Sequence, residues 1–188
     1  MNTADSSTHP PQPDVATIEL VLDGKKYALS HEKALALALT WLEQKHPRQA
    51  AKLLARLAEY PENGPWCHIV RGFCEAAAKH WEDCREALGH ALTENDAARQ
   101  LHDIFVTYHL GFRRQAMLDM IDFVKVHRDL PSLCLLLGDM FVQKQDAKRA
   151  RDCWSMAVRR DGSGGAVGST ARRRLLHLAA TTSKTSMP

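Results

Sequence analysis

The sequence has no C-x-x-C pair, and its five cysteines, Cys67, Cys74, Cys84, Cys134 and Cys153, are odd in number and scattered. That pattern excludes a closed disulfide framework and a standard zinc knuckle, and it fits a reducing compartment. No run approaches the roughly 18 apolar residues of a membrane span. The opening MNTADSSTHPPQPD has neither the basic start nor the apolar stretch of a secretory signal. A cytoplasmic location is therefore expected. Charge of one sign is also lacking: a net +3 with 25% charged residues is too balanced to point to nucleic acid.

Motifs that carry chemistry are equally scarce. His31-Glu32 is followed by Leu35 where a zinc protease needs its second histidine. Cys67, His68, Cys74, His80 and Cys84 form the densest set of metal-ligand types, yet their spacing matches no zinc motif, and small cysteines are common inside helix interfaces. The stretch GSGGAVG lacks the lysine of a phosphate-binding loop, and Val167 stands where a dinucleotide fingerprint needs glycine. Arg172, Arg173 and Arg174 point in different directions on a helix and read as solvated rather than as a nucleic-acid contact. No nucleophile, base and orienting acid stand together. The chain is read as a non-enzyme with no catalytic residue, metal or cofactor.

What is present fits one domain in 188 residues. Residues 1–16 are rich in Ser, Thr, Pro and Asp and cannot repay the entropy of ordering, so a disordered tail is expected. At 17–29, IELVL and KKYAL flank Asp23-Gly24, the dipeptide favoured in a type I′ turn, and predict a small β-hairpin. From Ser30 the apolar spacing turns helical. Helices are expected near 31–45, 47–60, 65–79, 81–93, 96–110, 113–128, 131–144 and 146–160. Ser30 can cap the first; Pro47, Pro65 and Pro131 sit where a first-turn proline is harmless; Gly111 suits a break. Within this scheme 30–161 is a repeat domain, 162–168 a Gly/Ser linker, 169–181 a capping helix carrying Leu175, Leu176 and Leu178, and 182–188 a disordered tail.

Eight helices of similar length raise the question of periodicity. In the clearest unit, Leu137-Gly138 is followed by Phe141, then by Ala150, Trp154 and Ala157. The second half of that pattern recurs from Ala50, Cys84, Ala116 and Ala150, which lie 34, 32 and 34 residues apart. The corresponding slot on each first helix holds Ala38, Gly72, Ile104 and Gly138, so looser packing is expected in the third unit, where the slot is large. Small residues let two antiparallel helices approach, and a bulky neighbour fills the gap.

This pattern over about 31–160 resembles the tetratricopeptide repeat, whose period is about 34 residues. The resemblance implies an all-α fold, a right-handed solenoid of about four helix-turn-helix units with a C-terminal capping helix. In that family the first helix of every unit lines a concave groove. By position this selects Leu35, Leu39 and Leu42 in the first unit, and Trp66, Ile69 and Phe73 in the second. In the third unit it selects Leu101, Phe105 and Tyr108, and in the fourth Leu135, Asp139 and Val142. An apolar groove of this kind implies a protein-binding adaptor or chaperone that holds an apolar or amphipathic segment of another protein. None of the Lys, Asn or Arg of a carboxylate clamp occupies these positions. In size and architecture the chain is also similar to bacterial chaperones that keep type III secretion translocators soluble. The alternative is a structural subunit of a homo-oligomer or larger complex with the groove permanently buried; the hairpin or the N-terminal tail could also fill it.

Overall fold

The computed structural model describes residues 17–22, 25–162 and 165–185. The tail expected at 1–16, the Asp23-Gly24 turn, residues 163–164 of the linker and the last three residues lie outside the described residues. Strands β1 (Thr17–Leu22) and β2 (Lys25–Ser30) pair antiparallel, in register from Thr17 opposite Ser30 to Leu22 opposite Lys25. Two strands are marginal alone. Here they lean on helix α1 (His31–Glu43), with Ile18 buried and Leu29 packed against the core. Ser30 ends β2 and caps α1, its hydroxyl accepting the Lys33 N–H at 3.4 Å.

After α1 the described residues form α2 (Pro47–Leu57), α3 (Gly64–Ala77), α4 (Trp81–Ala91) and α5 (Asn95–His109). These are followed by α6 (Arg113–Val126), α7 (Pro131–Gln143), α8 (Ala147–Asp161) and α9 (Ala166–Thr185). Pro47, Pro65 and Pro131 each sit in a first turn, where the missing N–H would have had no helical partner. Asp146 caps α8 by accepting the Arg149 N–H at 3.1 Å. No described helix is long and apolar enough to cross a membrane.

The turns α1–α2, α3–α4, α5–α6 and α7–α8 share one geometry. Each contains a residue in the left-handed region: Lys45, Lys79, Gly111 and Gln145, at φ of 64, 63, 103 and 61°, spaced 34, 32 and 34 residues apart. The following N–H donates to the carbonyl five residues back, His46 to Trp41 at 2.7 Å, His80 to Glu75 at 2.9 Å, Phe112 to Thr107 at 3.1 Å and Asp146 to Phe141 at 3.0 Å. This Schellman arrangement satisfies the last carbonyls of one helix while turning the chain into the next. Three of the four turns use no glycine. A left-handed L-residue costs about 1–2 kcal/mol. At Lys45 and Lys79 a cation beside the negative end of the helix dipole returns about 0.3–1 kcal/mol of that.

Helix approach follows the small residues. A Cβ on Gly138 would lie 2.4 Å from Trp154 Nε1, and one on Gly72 would lie 3.0 Å from Leu88 Cδ2. The pairs α3–α4 and α7–α8 accordingly come closer along their length than α1–α2, with Ala38 in the slot, or α5–α6, with Ile104. The positions assigned to repeat packing, Ala38, Gly72, Gly138, Ala50, Cys84, Ala116, Ala150, Trp154 and Ala157, are all buried. The odd-numbered helices face one another, α3 meeting both α5 and α7.

The C-terminal boundaries differ from expectation. Helix α9 starts at Ala166, inside the expected linker, and continues through Thr185, past the expected end at 181. The Gly168 N–H donates to the Asp161 carboxylate at 2.7 Å, and Val167 and Ala171 are fully buried, so the first turn is anchored directly on the end of α8. From there α9 packs along α8 and α7 and reaches back to α1, joining the two ends of the helical array.

Two measurements check this packing. Gly89, exposed in α4 with nothing within 4 Å of an added Cβ, should gain about 0.8–1 kcal/mol on Gly89→Ala. Gly138→Ala should instead cost about 1–3 kcal/mol by overpacking. A rise in Tm for Gly138→Ala would contradict the contact with Trp154. Separately, Lys79→Gly or Gln145→Gly should stabilise by about 0.5–1 kcal/mol through relief of the left-handed strain, whereas Gly111→Ala should destabilise. A loss of stability on Lys79→Gly would count against this account of the turns.

Candidate functional site

The groove expected on the first helices is corrected by burial. Leu35, Leu39, Ile69, Phe73, Leu101, Phe105, Tyr108 and Leu135 are all buried, none more than 4% exposed, and they belong to the core. The inner face of α3 packs on α5 and α7, and α1 and α7 on α9, so these residues fill the interior instead of lining an open channel. Phe73 and Phe105 meet edge to face with centroids 5.0 Å apart, and Tyr108 lies 5.8 Å from Phe73. The Tyr108 hydroxyl donates to Gln143 Oε1 at 2.8 Å, tying α5 to α7. Only Leu42, Trp66 and Asp139, each half-buried, and Val142, exposed, remain accessible from the expected set.

Of the inner face there remains a cleft of about 380 Å³ between α1, α7 and α9. Its floor includes Leu39, Phe73, Leu136 and Trp154, and its rim includes Leu42, Val142, His177 and Leu178. Charge lies at its centre. Asp139 accepts from Trp154 Nε1 at 3.1 Å and faces the Arg174 guanidinium at 3.5 Å, and Arg174 also pairs with Glu43 of α1. The preceding residue, Arg173, pairs with Glu32 near the start of α1. The arginine triplet is paired: Arg173 keeps the exposure expected of it, while Arg174 is half-buried. Arg172 donates to the Gly162 carbonyl at 3.0 Å, and the other two clamp α9 across the array. Glu43, Arg174 and His177 were not selected from sequence, because α9 lies outside the repeat pattern and nothing in its spacing places it against α1.

Burial pushes the Asp139 carboxyl up to about 6, Arg174 pulls the other way and Glu43 adds to the rise. One guanidinium is therefore shared by two carboxylates at the centre of the cleft. At the end of α5, burial and the Arg113 charge hold His109 down to about 4, with its ring on Phe73 at 4.7 Å. The Tyr108 hydroxyl is shifted up, mainly by burial.

The cysteine and histidine set does not assemble as a group. Cys67, Cys74 and Cys84 are core thiols. Cys67 Sγ donates to the Leu54 carbonyl at 3.0 Å, and burial pushes Cys67 and Cys84 up to about 12 and Cys74 higher still. Only His80 of that set takes part in the metal-ligand cluster found among the described residues, with Glu75 and Asp83. His80 Nδ1 lies 3.0 Å from Glu75 Oε2 and 3.7 Å from Asp83 Oδ2, while Arg71 stands 3.8 Å from Glu75 and competes with any cation. The arrangement closes the α3–α4 turn with polar side-chain contacts from His80 and Arg71 to Glu75.

No protein-family model matches this chain, and neither does any curated protein or solved structure.

The two shifted groups give opposite pH signatures. Asp139 is raised, so the folded state holds more protons than the unfolded one between pH 3.8 and about 6, and its contribution falls as pH rises through that window. His109 is lowered, so the unfolded state holds more protons between about pH 4 and 6.5, and its contribution falls as pH drops. Melting curves should therefore show Asp139→Asn relatively more stable than wild type at pH 7 than at pH 4, and His109→Gln relatively more stable at pH 4 than at pH 7. Parallel profiles for all three proteins would contradict these environments.

Proposed function

We propose that the chain is a non-enzymatic protein-binding adaptor or chaperone, a tetratricopeptide-like array of about four helix pairs wound as a right-handed solenoid. The observation that carries this reading is the recurrence of one helix–turn–helix geometry at Lys45, Lys79, Gly111 and Gln145. A repeated pair cannot bury its faces alone, and stacked pairs present extended surface to a partner. The segment bound is apolar or amphipathic, and the surface offered on the inner side is the α1–α7–α9 cleft, with Leu42 and Val142 as apolar contacts beside the Asp139–Arg174 pair. A role in secretion remains an architectural analogy with the translocator chaperones.

A second reading, a subunit of a homo-oligomer or larger complex, is favoured by the α5–α6 turn, where Leu110 is 59% and Phe112 66% exposed. Such adjacent apolar exposure suits a permanent contact. Light scattering coupled to size exclusion separates the two, since a dimer that Phe112→Ser converts to monomer supports the subunit reading.

For the adaptor reading, Leu42→Asp and Val142→Asp should abolish cross-linking of a partner polypeptide to the cleft. Both side chains are accessible, so Tm should shift by less than about 0.5 kcal/mol equivalent at Val142 and somewhat more at half-buried Leu42. Cross-linking followed by peptide mapping, with and without the substitutions, reads this directly. Unchanged cross-links in both variants would remove the cleft from the proposal.

A further inference from the structure

We propose that a second trough, on the other side of α7 and independent of the inner cleft, docks an acidic amphipathic peptide segment. The trough holds about 470 Å³ between α6 and α8. Its floor is apolar: Val124, Leu137, Phe141 and Cys153, flanked by the half-buried Ile121 and Met156. Its rim is cationic, with Lys125 and Arg128 on the α6 side, Arg149 and Arg160 on the α8 side, and Asp152 as the single lining carboxylate. Four cations line the trough against one lining carboxylate, a local excess of positive charge above an apolar floor.

The four cations are not equally available. Lys125 bonds Asp122 at 2.7 Å, and Arg149 lies 3.5 Å from Asp146. These two are partly neutralised. Arg128 has only a bond from Nε to the Lys125 carbonyl at 2.9 Å, and Arg160 reaches Cys134 Sγ at 2.9 Å. Neither has a carboxylate partner among the described residues. Arginine without a carboxylate at the edge of an apolar floor is suited to bidentate capture of a ligand carboxylate.

Placement along the trough fixes the ligand further. Arg149, Asp152, Cys153, Met156 and Arg160 form one stripe of α8, and Arg149 to Arg160 spans roughly 16 Å at helical rise. Arg149 lies over the Phe141 ring at 5.7 Å, near the end of α7, while Arg160 meets Cys134 in its first turns. The two arginines therefore mark opposite ends. Arg128 lies in the turn between the end of α6 at Val126 and the start of α7 at Pro131, which places it at the Arg160 end. The matching ligand is a segment of about three helical turns with Leu or Phe seated on the floor and carboxylates on its flanks, densest toward Arg128 and Arg160. A nucleic acid would use the cations but leave the apolar floor wet, so the acidic peptide is the better match.

The test uses two fluorescein-labelled peptides of 16 residues with Leu and Phe on one helical face, one carrying Glu elsewhere and the other Lys, titrated with the full chain and read by anisotropy. The Glu peptide should bind at least about tenfold more tightly than the Lys peptide at low salt, with the margin shrinking as salt is added. Arg128→Glu should weaken the Glu peptide at least about fivefold. Arg128→Glu with Arg160→Glu should weaken it further and favour the Lys peptide. Because Arg160 touches Cys134, melting curves accompany the double variant, and exposed Arg128→Glu alone keeps the test valid if the double variant is unstable. Leu176→Asp, at an exposed position of α9 that lines neither the cleft nor the trough, should leave the affinity unchanged. Equal affinities for the two peptides, no binding of the Glu peptide up to about 1 mM, insensitivity to Arg128→Glu, or loss on Leu176→Asp would each overturn the proposal.

Discussion

The space left by a missing side chain at Gly138 positions the whole C-terminal half of the molecule. The Trp154 indole fills that space and turns its N–H to the Asp139 carboxylate. Asp139 faces Arg174 of α9, and Arg174 extends to Glu43 of α1. A single close approach between α7 and α8 is thereby passed on, through one hydrogen bond and two ion pairs, to contact between the first and last helices. A Cβ at Gly138 would displace the indole that orients Asp139, so loss of packing and loss of the clamp are expected to come together.

This chain of contacts explains why Asp139 can be both poorly placed for ionisation and retained. A carboxylate whose side chain is about one fifth exposed loses much of its hydration, and burial outweighs the neighbouring cation. The same carboxylate orients a tryptophan and an arginine whose directions would otherwise be set only by shape. Whether such a group stabilises in net terms is a separate matter from whether it specifies one arrangement. Here the arrangement specified is the docking of α9, whose apolar Leu175 and Leu178 pack on the core while Leu176 is 72% exposed.

Helix order, the hairpin and the buried small residues were legible because each has a local cause: apolar spacing, first-turn prolines, Ser30 as a cap, and glycine or alanine at a fixed distance from a bulky partner. The filling of the interior was not. Leu35, Phe73 and Phe105 were placed on the right helices, but whether an inward residue lines a channel or fills it depends on the angle between successive pairs, which no spacing encodes. Trp66 and Val142 escaped burial for the same geometric reason. Three of the four Schellman turns were also unreadable, since Lys45, Lys79 and Gln145 adopt a conformation for which glycine is the usual sign. Only Gly111 announced it.

A filled inner face changes where a partner can be held. In an open solenoid the concave side offers a continuous apolar strip; here Phe73, Phe105 and Tyr108 spend their apolar area on each other, and α9 covers part of what remains. Two of the concavities that remain, the α1–α7–α9 cleft and the α6–α8 trough, each have an apolar floor and a charged edge. Concavities of this size admit a few anchor side chains apiece rather than a long ligand. Specificity must then rest on the charges at their edges, because apolar floors alone discriminate weakly between partners. The two edges differ in kind. The cleft balances two carboxylates against one arginine, while the trough keeps Arg128 and Arg160 without a carboxylate partner among the described residues, so under the proposals above the two surfaces would select segments of different charge.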